Sequence, residues 1–161
     1  MRSATLPTQL LLEAYGRDGC SIISVAVVPR RDVSKYGIIS TGGPDASGLL
    51  PVFGIVEKPE ADMAPSRFAS IWRYVFGPEV FEILKHQEPG YGGEIQLADA
   101  INTLAKSGAV AGQVFEGRRY DCGSKFGFLE AIVETALAHP DFAENFREFL
   151  LQRLSHREAA E

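Results

Sequence analysis

The chain has 161 residues, 45% of them hydrophobic and 23% charged, with a formal net charge of −5. These values fit a single soluble globular domain with enough apolar material for a core. They leave no broad cationic field, which argues against nucleic acid and against acidic membranes as partners, so an anionic ligand must be met by a few placed Lys or Arg side chains and backbone N–H groups.

Thr5-Leu6-Pro7 reads as a helix entrance, with Thr5 in the N-cap position and proline in the first turn. Leu10, Leu11, Ala14 and Tyr15 recur at helical spacing, and Gly16 and Gly19 mark the exit. The run Leu10-Leu11-Leu12 is cut by Glu13, too short for a secretory core, and no stretch is long enough to span a bilayer. A cytoplasmic location is the expectation. Cys20 and Cys122 lie far apart without CxxC spacing, as two free thiols would.

Ser21 to Val28 is almost uncharged and rich in Ile and Val, the pattern of a strand buried on both faces. Tyr36–Ser40, Val52–Val56 and Ala69–Phe76 are further strands, with a turn at Gly42-Gly43-Pro44-Asp45 and a proline-rich acidic connection from Pro59 to Pro65. Pro78 opens a helix with Val80, Phe81 and Leu84 on one face. A loop from Pro89 to Gly93 runs into a helix over Glu94–Lys106, and Ala109–Phe115 is the last strand. From Ser124, Phe128, Ile132 and Ala136 share one helical stripe, with Leu129, Val133 and Leu137 beside it. His139-Pro140 breaks that helix, and Phe142, Phe146, Phe149 and Leu150 line a second one. The pattern is one α/β domain over residues 1–161, with a frayed tail at 155–161.

Three clusters hold residues suited to chemistry. Glu57-Lys58-Pro59 closes a strand, where a carboxylate can accept from hydroxyls and an ammonium can hold a phosphate. On the residues alone, a solvated ion pair is the plainer reading. Gly92-Gly93-Glu94-Ile95-Gln96 precedes a helix whose first N–H groups face an anion or a hydroxyl, although Glu94 there equally well complements the helix dipole. Asp121-Cys122-Gly123 stands between a strand and a helix, placed either to hold a hydrated Mg²⁺ on a phosphate or to begin a turn. Spacing and charge do not decide between these. His86, His139 and His156 lack metal-ligand spacing, and Gly42-Gly43 lacks the Lys-Ser/Thr of a phosphate loop.

Taken in order, Val33-Ser34-Lys35-Tyr36-Gly37-Ile38, Val56-Glu57-Lys58-Pro59, Arg73-Tyr74-Val75, Gly93-Glu94-Ile95-Gln96-Leu97 and Tyr120-Asp121-Cys122-Gly123-Ser124-Lys125 form a set. That set resembles the bacterial UTP–glucose-1-phosphate uridylyltransferases, of the sugar-phosphate nucleotidyltransferase superfamily, from about Leu10 to Leu150. Each motif is weak by itself and the ordered set is specific.

The resemblance implies part of a Rossmann-like mixed sheet flanked by helices, lacking the N-terminal nucleotide-binding strands. It implies attack of glucose 1-phosphate on the α-phosphate of UTP, giving UDP-glucose and pyrophosphate with Mg²⁺. Gly37 would pack against the sugar, Glu57 accept from its hydroxyls, Lys58 hold its phosphate and Asp121 help hold the metal. Arg73, Tyr74 and Glu94 would complete the substrate site. Because two anionic reactants repel, such catalysis is mostly positioning and charge neutralisation.

Two departures stand out. The glycine-rich triphosphate loop, the uracil-reading residues and a second metal-binding aspartate, which precede these motifs in the family, are not among the 161 residues. Trp72 occupies the place of a small glycine before Arg-Tyr, and Ala98 that of a threonine. The expectation is weak or no transferase activity for this polypeptide by itself, with nucleotide contacts reduced. The alternatives are a non-catalytic module that binds sugar phosphates or a full-length homologue, and a sister specificity such as a thymidylyltransferase. Sheet edges left open would favour association, making a homo-oligomer the expected state.

Overall fold

The computed structural model describes residues 6–158, and these group into two compact units, Met1–Glu116 and Gly117–Glu161. The first unit holds α1 (Pro7–Asp18), β1 (Ser21–Val27), β2 (Gly37–Thr41), β3 (Leu50–Glu57), β4 (Phe68–Val75), α2 (Glu79–His86), α3 (Leu97–Lys106) and β5 (Val110–Val114). The second holds α4 (Lys125–Ala138) and α5 (Ala143–Glu158).

α1 begins on Pro7 with Leu6 in the N-cap position, and the Thr5 cap expected from the sequence lies outside the described residues. It ends where Gly19 turns left-handed and donates its N–H to the Tyr15 carbonyl. Ile22, Ile23 and Val25 of β1 are fully buried, as its uncharged sequence requires of a strand covered on both faces. β1 pairs parallel with β5 and antiparallel with β4. β4 pairs with β2, β2 with β3, and β3 with β5 through Leu50–Gly112 and Pro51–Ala111.

The strand order β1-β4-β2-β3-β5 therefore closes on itself. This corrects the expectation of open edges seeking a partner. The joints are thin, with a single register pair between β2 and β4, yet they leave these strands without the long free edge that invites edge-to-edge pairing. The mixed sheet flanked by helices is the expected architecture.

α3 covers the sheet with Ala100, Ile101, Leu104 and Ala105, packing on Ile23, Ile39, Val52 and Ile55. It is also tied in by a side chain that behaves like a neighbouring strand. Asn102 accepts from the Ile55 N–H at 2.7 Å and donates to the Ile55 carbonyl at 3.1 Å. At the other end of the unit, the buried Ser21 hydroxyl donates to Glu79 Oε1 at 3.3 Å and accepts from the Gly77 N–H at 3.2 Å, joining β1 to the start of α2. Of the apolar face expected on α2, Val80 is buried and Leu84 packs on the core, but Phe81 is 71% exposed. Periodicity placed Phe81 beside Val80, one position around the helix, which is 100° away from the covered side.

The second unit is a pair of helices: α4 is capped by Ser124, whose hydroxyl accepts from the Gly127 N–H at 3.0 Å, and ends at His139. The His139 ring stacks on Phe142 with centroids 4.0 Å apart. α5 continues to Glu158, into the segment where the sequence suggested fraying, and residues 159–161 lie outside the described set. Among the described residues no helix is long and apolar enough to cross a membrane. Both cysteines are free, with Cys20 half-buried and Cys122 exposed.

Candidate functional site

A cavity of about 450 Å³ opens in the first unit where the ends of β2, β3 and β4 meet the start of α3. That is within the size range of small-molecule sites. Gly37, Glu57, Lys58 and Tyr74, four of the residues singled out by sequence, line it together with Lys35, Trp72 and Gln96.

The strand register explains the meeting. Gly37 lies opposite Glu57 across the β2–β3 ladder, so the first residue of one strand faces the last of the other. A Cβ on Gly37 would sit 2.7 Å from Ile55 Cδ1 and 2.8 Å from Glu57 Oε2, closer than side-chain atoms tolerate. The glycine thus leaves the space that the Glu57 carboxylate occupies. Lys58 follows with its N–H donated to the Tyr36 carbonyl at 2.9 Å. Its φ of 47° is left-handed, a bend that ends the strand at the cavity rim.

Among the described residues, two non-glycine positions take left-handed backbone, Lys58 and Trp72, and both line this cavity. Strained backbone of this kind collects at functional sites, where the surrounding structure holds it in place. Trp72 belongs to a bulge: Ile23 and Val25 of β1 pair with Tyr74 and Ser70, so one intervening residue on β1 faces three on β4. Tyr74 is fixed beyond the bulge by a 3.0 Å hydrogen bond between its hydroxyl and Ser70, and by stacking on Phe76 at 5.4 Å.

Lys35 brings a second cation to the cavity that the sequence reading did not single out. It closes a short 3-10 turn over Arg30–Lys35 and reaches Asp32 Oδ1 at 2.7 Å. That hydrogen bond holds the Asp32 carboxyl below its ordinary value and pushes the Lys35 ammonium up. The Asp-x-x-Lys spacing of residues 32–35 was the available signal, since residues three apart meet on one side of a helical turn.

Other expected site residues sit elsewhere. The exposed Arg73 is not among the lining residues and donates to the Thr8 hydroxyl at 2.9 Å. Glu94 also lies outside the lining, with its carboxylate accepting from Gln96 Nε2 at 3.2 Å. It is not in the first turn of α3 either, which corrects the expected helix over Glu94–Lys106. Gly92 and Gly93 are left-handed, at φ 79° and 75°, and the Gly90 N–H donates to the Glu94 carbonyl. The loop therefore closes on itself and delays the helix to Leu97, which brings Gln96, Leu97 and Ala98 to the cavity instead.

Asp121 belongs to the second unit. Its Oδ1 accepts from the Gly123 N–H at 3.1 Å, and its carbonyl accepts from the N–H and the hydroxyl of Ser124. It begins the turn that caps α4, and Gly127 leaves room for the Asp121 carbonyl, which an added Cβ would meet. Among the described residues no group of three or more His, Cys, Asp or Glu side chains is arranged to hold a metal ion. Mg²⁺ is commonly bound by one or two carboxylates together with substrate phosphates. The exposed Asp121 fits a share in such a set, and no all-protein site is present among those residues.

The mixed sheet and α3 thus wall a cavity of small-molecule size, with a Glu-Lys pair at one strand end. The chain belongs to the nucleotidyl transferase family, whose model matches residues 7–137. It is similar to the UTP–glucose-1-phosphate uridylyltransferase of Streptococcus pyogenes, 44% identical over 150 residues that make up 93% of this chain and 49% of that protein. Among solved structures, it resembles UDP-glucose pyrophosphorylase from Acinetobacter baumannii, with a TM-score of 0.82 and 31% identity over 94% of this chain and 52% of that one. It also resembles a UDP-glucose pyrophosphorylase complexed with UDP-glucose, with a TM-score of 0.70 and 40% identity over 76% of this chain and 46% of that one. The chain spans about half the length of the relatives it matches.

Proposed function

We propose that this chain supplies the sugar-phosphate side of a UTP–glucose-1-phosphate uridylyltransferase, binding glucose 1-phosphate and UDP-glucose in the cavity between β2, β3, β4 and α3. The observation that carries the reading is the joint placement of Gly37, Glu57 and Lys58 at one strand end, with left-handed backbone at Lys58. Glu57 accepts from the glucose hydroxyls while Gly37 lets the ring approach. The Lys58 ammonium neutralises the sugar's phosphate, which lowers the repulsion between two anionic reactants. Tyr74 forms the wall. Arg73 and Glu94 act from outside the lining, Arg73 by tying β4 to α1 and Glu94 by holding Gln96.

In the reaction, glucose 1-phosphate attacks the α-phosphate of UTP and pyrophosphate leaves. Asp121 would contribute one carboxylate to Mg²⁺, which on binding stabilises charge on the phosphate oxygens. The chain spans about half the length of the relatives it matches, so the polypeptide by itself is a weak transferase or none, with UTP the poorest-held ligand. We place it in the cytoplasm, acting on small metabolites rather than on nucleic acid or membranes. We further assign it a homo-oligomeric state built on α4 and α5, where Phe128, Leu129 and Ile132 are exposed. Sedimentation at high concentration checks this, and a uniform monomer refutes it.

Calorimetry with glucose 1-phosphate and UDP-glucose tests the central reading. Binding that falls at least tenfold in Lys58→Ala, a charge-assisted contact of roughly 1.5–3 kcal/mol, supports it. No heat at millimolar ligand, or equal affinity in the variant, refutes it.

A further inference from the structure

We propose that Trp72 is a ligand-contacting residue of this cavity, a flat platform on which the apolar C–H face of the bound hexose lies. The inference rests on the sugar-phosphate reading of the cavity and adds to it a residue whose position is unfavourable until something covers it.

Three observations converge on the indole. Its backbone is left-handed, with φ 65°, a conformation that is an outlier for a bulky side chain and free for glycine. The residue is 83% exposed, so the largest apolar group in the chain forgoes burial. It lines the same cavity as Glu57 and Lys58.

The bulge accounts for the placement. In a regular strand, residues alternate between faces, and inserting extra residues between Ser70 and Tyr74 re-aims the one in the middle. Ser70 and Tyr74 are meanwhile pinned to each other, so the bulge is a fixed projection. A glycine in this place would relieve the backbone and expose no ring. Keeping a tryptophan there brings no packing to the folded chain that its exposure reveals.

The occupant follows from chemistry. A pyranose with equatorial hydroxyls carries axial C–H groups on its faces, which pack on an aromatic ring while the hydroxyls point sideways to an acceptor such as Glu57. A ring covering the indole would remove apolar surface from water on both partners. The phosphate end remains with Lys58.

Trp72 is the chain's single tryptophan, so its emission reports on this place alone. Titrating the 161-residue chain with glucose 1-phosphate and with UDP-glucose should quench or blue-shift that emission along the calorimetric isotherm. Trp72→Gly should weaken both ligands about 3- to 10-fold while raising the melting temperature, and Trp72→Phe should recover most of the affinity. Should calorimetry detect no binding at millimolar ligand, the cavity's assignment and the role of Trp72 fall together. Should ligand bind without a change in emission, or bind Trp72→Gly as well as or better than the parent chain, the cavity's assignment stands and the platform is refuted.

Discussion

Replacing Gly37 with alanine probes the closest approach in the cavity. The added methyl would stand 2.7 Å from Ile55 Cδ1, 3.2 Å from Ile55 Cγ1 and 2.8 Å from Glu57 Oε2. The first distance is about 1 Å inside the carbon–carbon optimum, and Ile55 is itself 7% exposed in the core. Overpacking of this kind costs about 1–3 kcal/mol. Because Gly37 is not left-handed, alanine also recovers about 0.4–1 kcal/mol by restricting the unfolded chain. The net expectation is a destabilisation of about 0.5–2 kcal/mol, a fall of several degrees in melting temperature for a unit of this size.

The second effect is on binding. The Glu57 carboxylate is the more movable of the two neighbours, so it yields first and leaves the position from which it meets a sugar hydroxyl. Affinity for glucose 1-phosphate should then fall at least about tenfold, on the order of one charged hydrogen bond. Thermal melting and calorimetry on Gly37→Ala read the two effects separately. An unchanged melting temperature with undiminished affinity would refute the reasoning, since the methyl would then have found room that the strand register denies.

Asn102→Ala removes both hydrogen bonds to Ile55 and strands a buried N–H and carbonyl on β3. Urea denaturation should show a loss of about 1–3 kcal/mol, and a loss below a few tenths would mean that the tie between α3 and β3 is dispensable. Asp32→Asn tests the carboxylate held below its ordinary range by Lys35. A lowered carboxyl stabilises the fold above its ordinary value and loses that contribution as pH falls through the folded value, so the parent and the variant should differ at neutral pH and converge in acid. Lys35 is exposed and Asp32 partly so, so the difference should be small and should shrink in salt, and an equal gap at every pH contradicts the pairing. Burial, with the Asp18 charge second, pushes the Cys20 thiol up, which leaves less thiolate at neutral pH. A disulfide reagent should therefore label the exposed Cys122 first, and faster labelling of Cys20 would contradict its burial.

The elements themselves were legible in the sequence because their signals are local. The uncharged Ile-Val run became the doubly covered β1, His139-Pro140 ended α4, and the glycines at 92 and 93 marked a left-handed turn. The Glu57-Lys58 pair could be named but not valued, because an acid beside a base is common on surfaces. Its weight came from the ordered motifs and then from the cavity. Local signals misled where one position decides a face or a start, as with Phe81 on α2 and Glu94 before α3.

By itself, then, the sequence determined which segments are strands and helices, that the sheet is mixed and helix-covered, and which family's motifs the chain carries. Tertiary structure decided which strand ends meet. It set Gly37 against Glu57, brought Lys35 into the cavity, kept Arg73 and Glu94 out of its lining, closed the sheet and lifted Trp72 on a bulge. The physical reason is that propensity and periodicity act within a few residues, whereas register and closure are fixed by pairings between residues tens of positions apart.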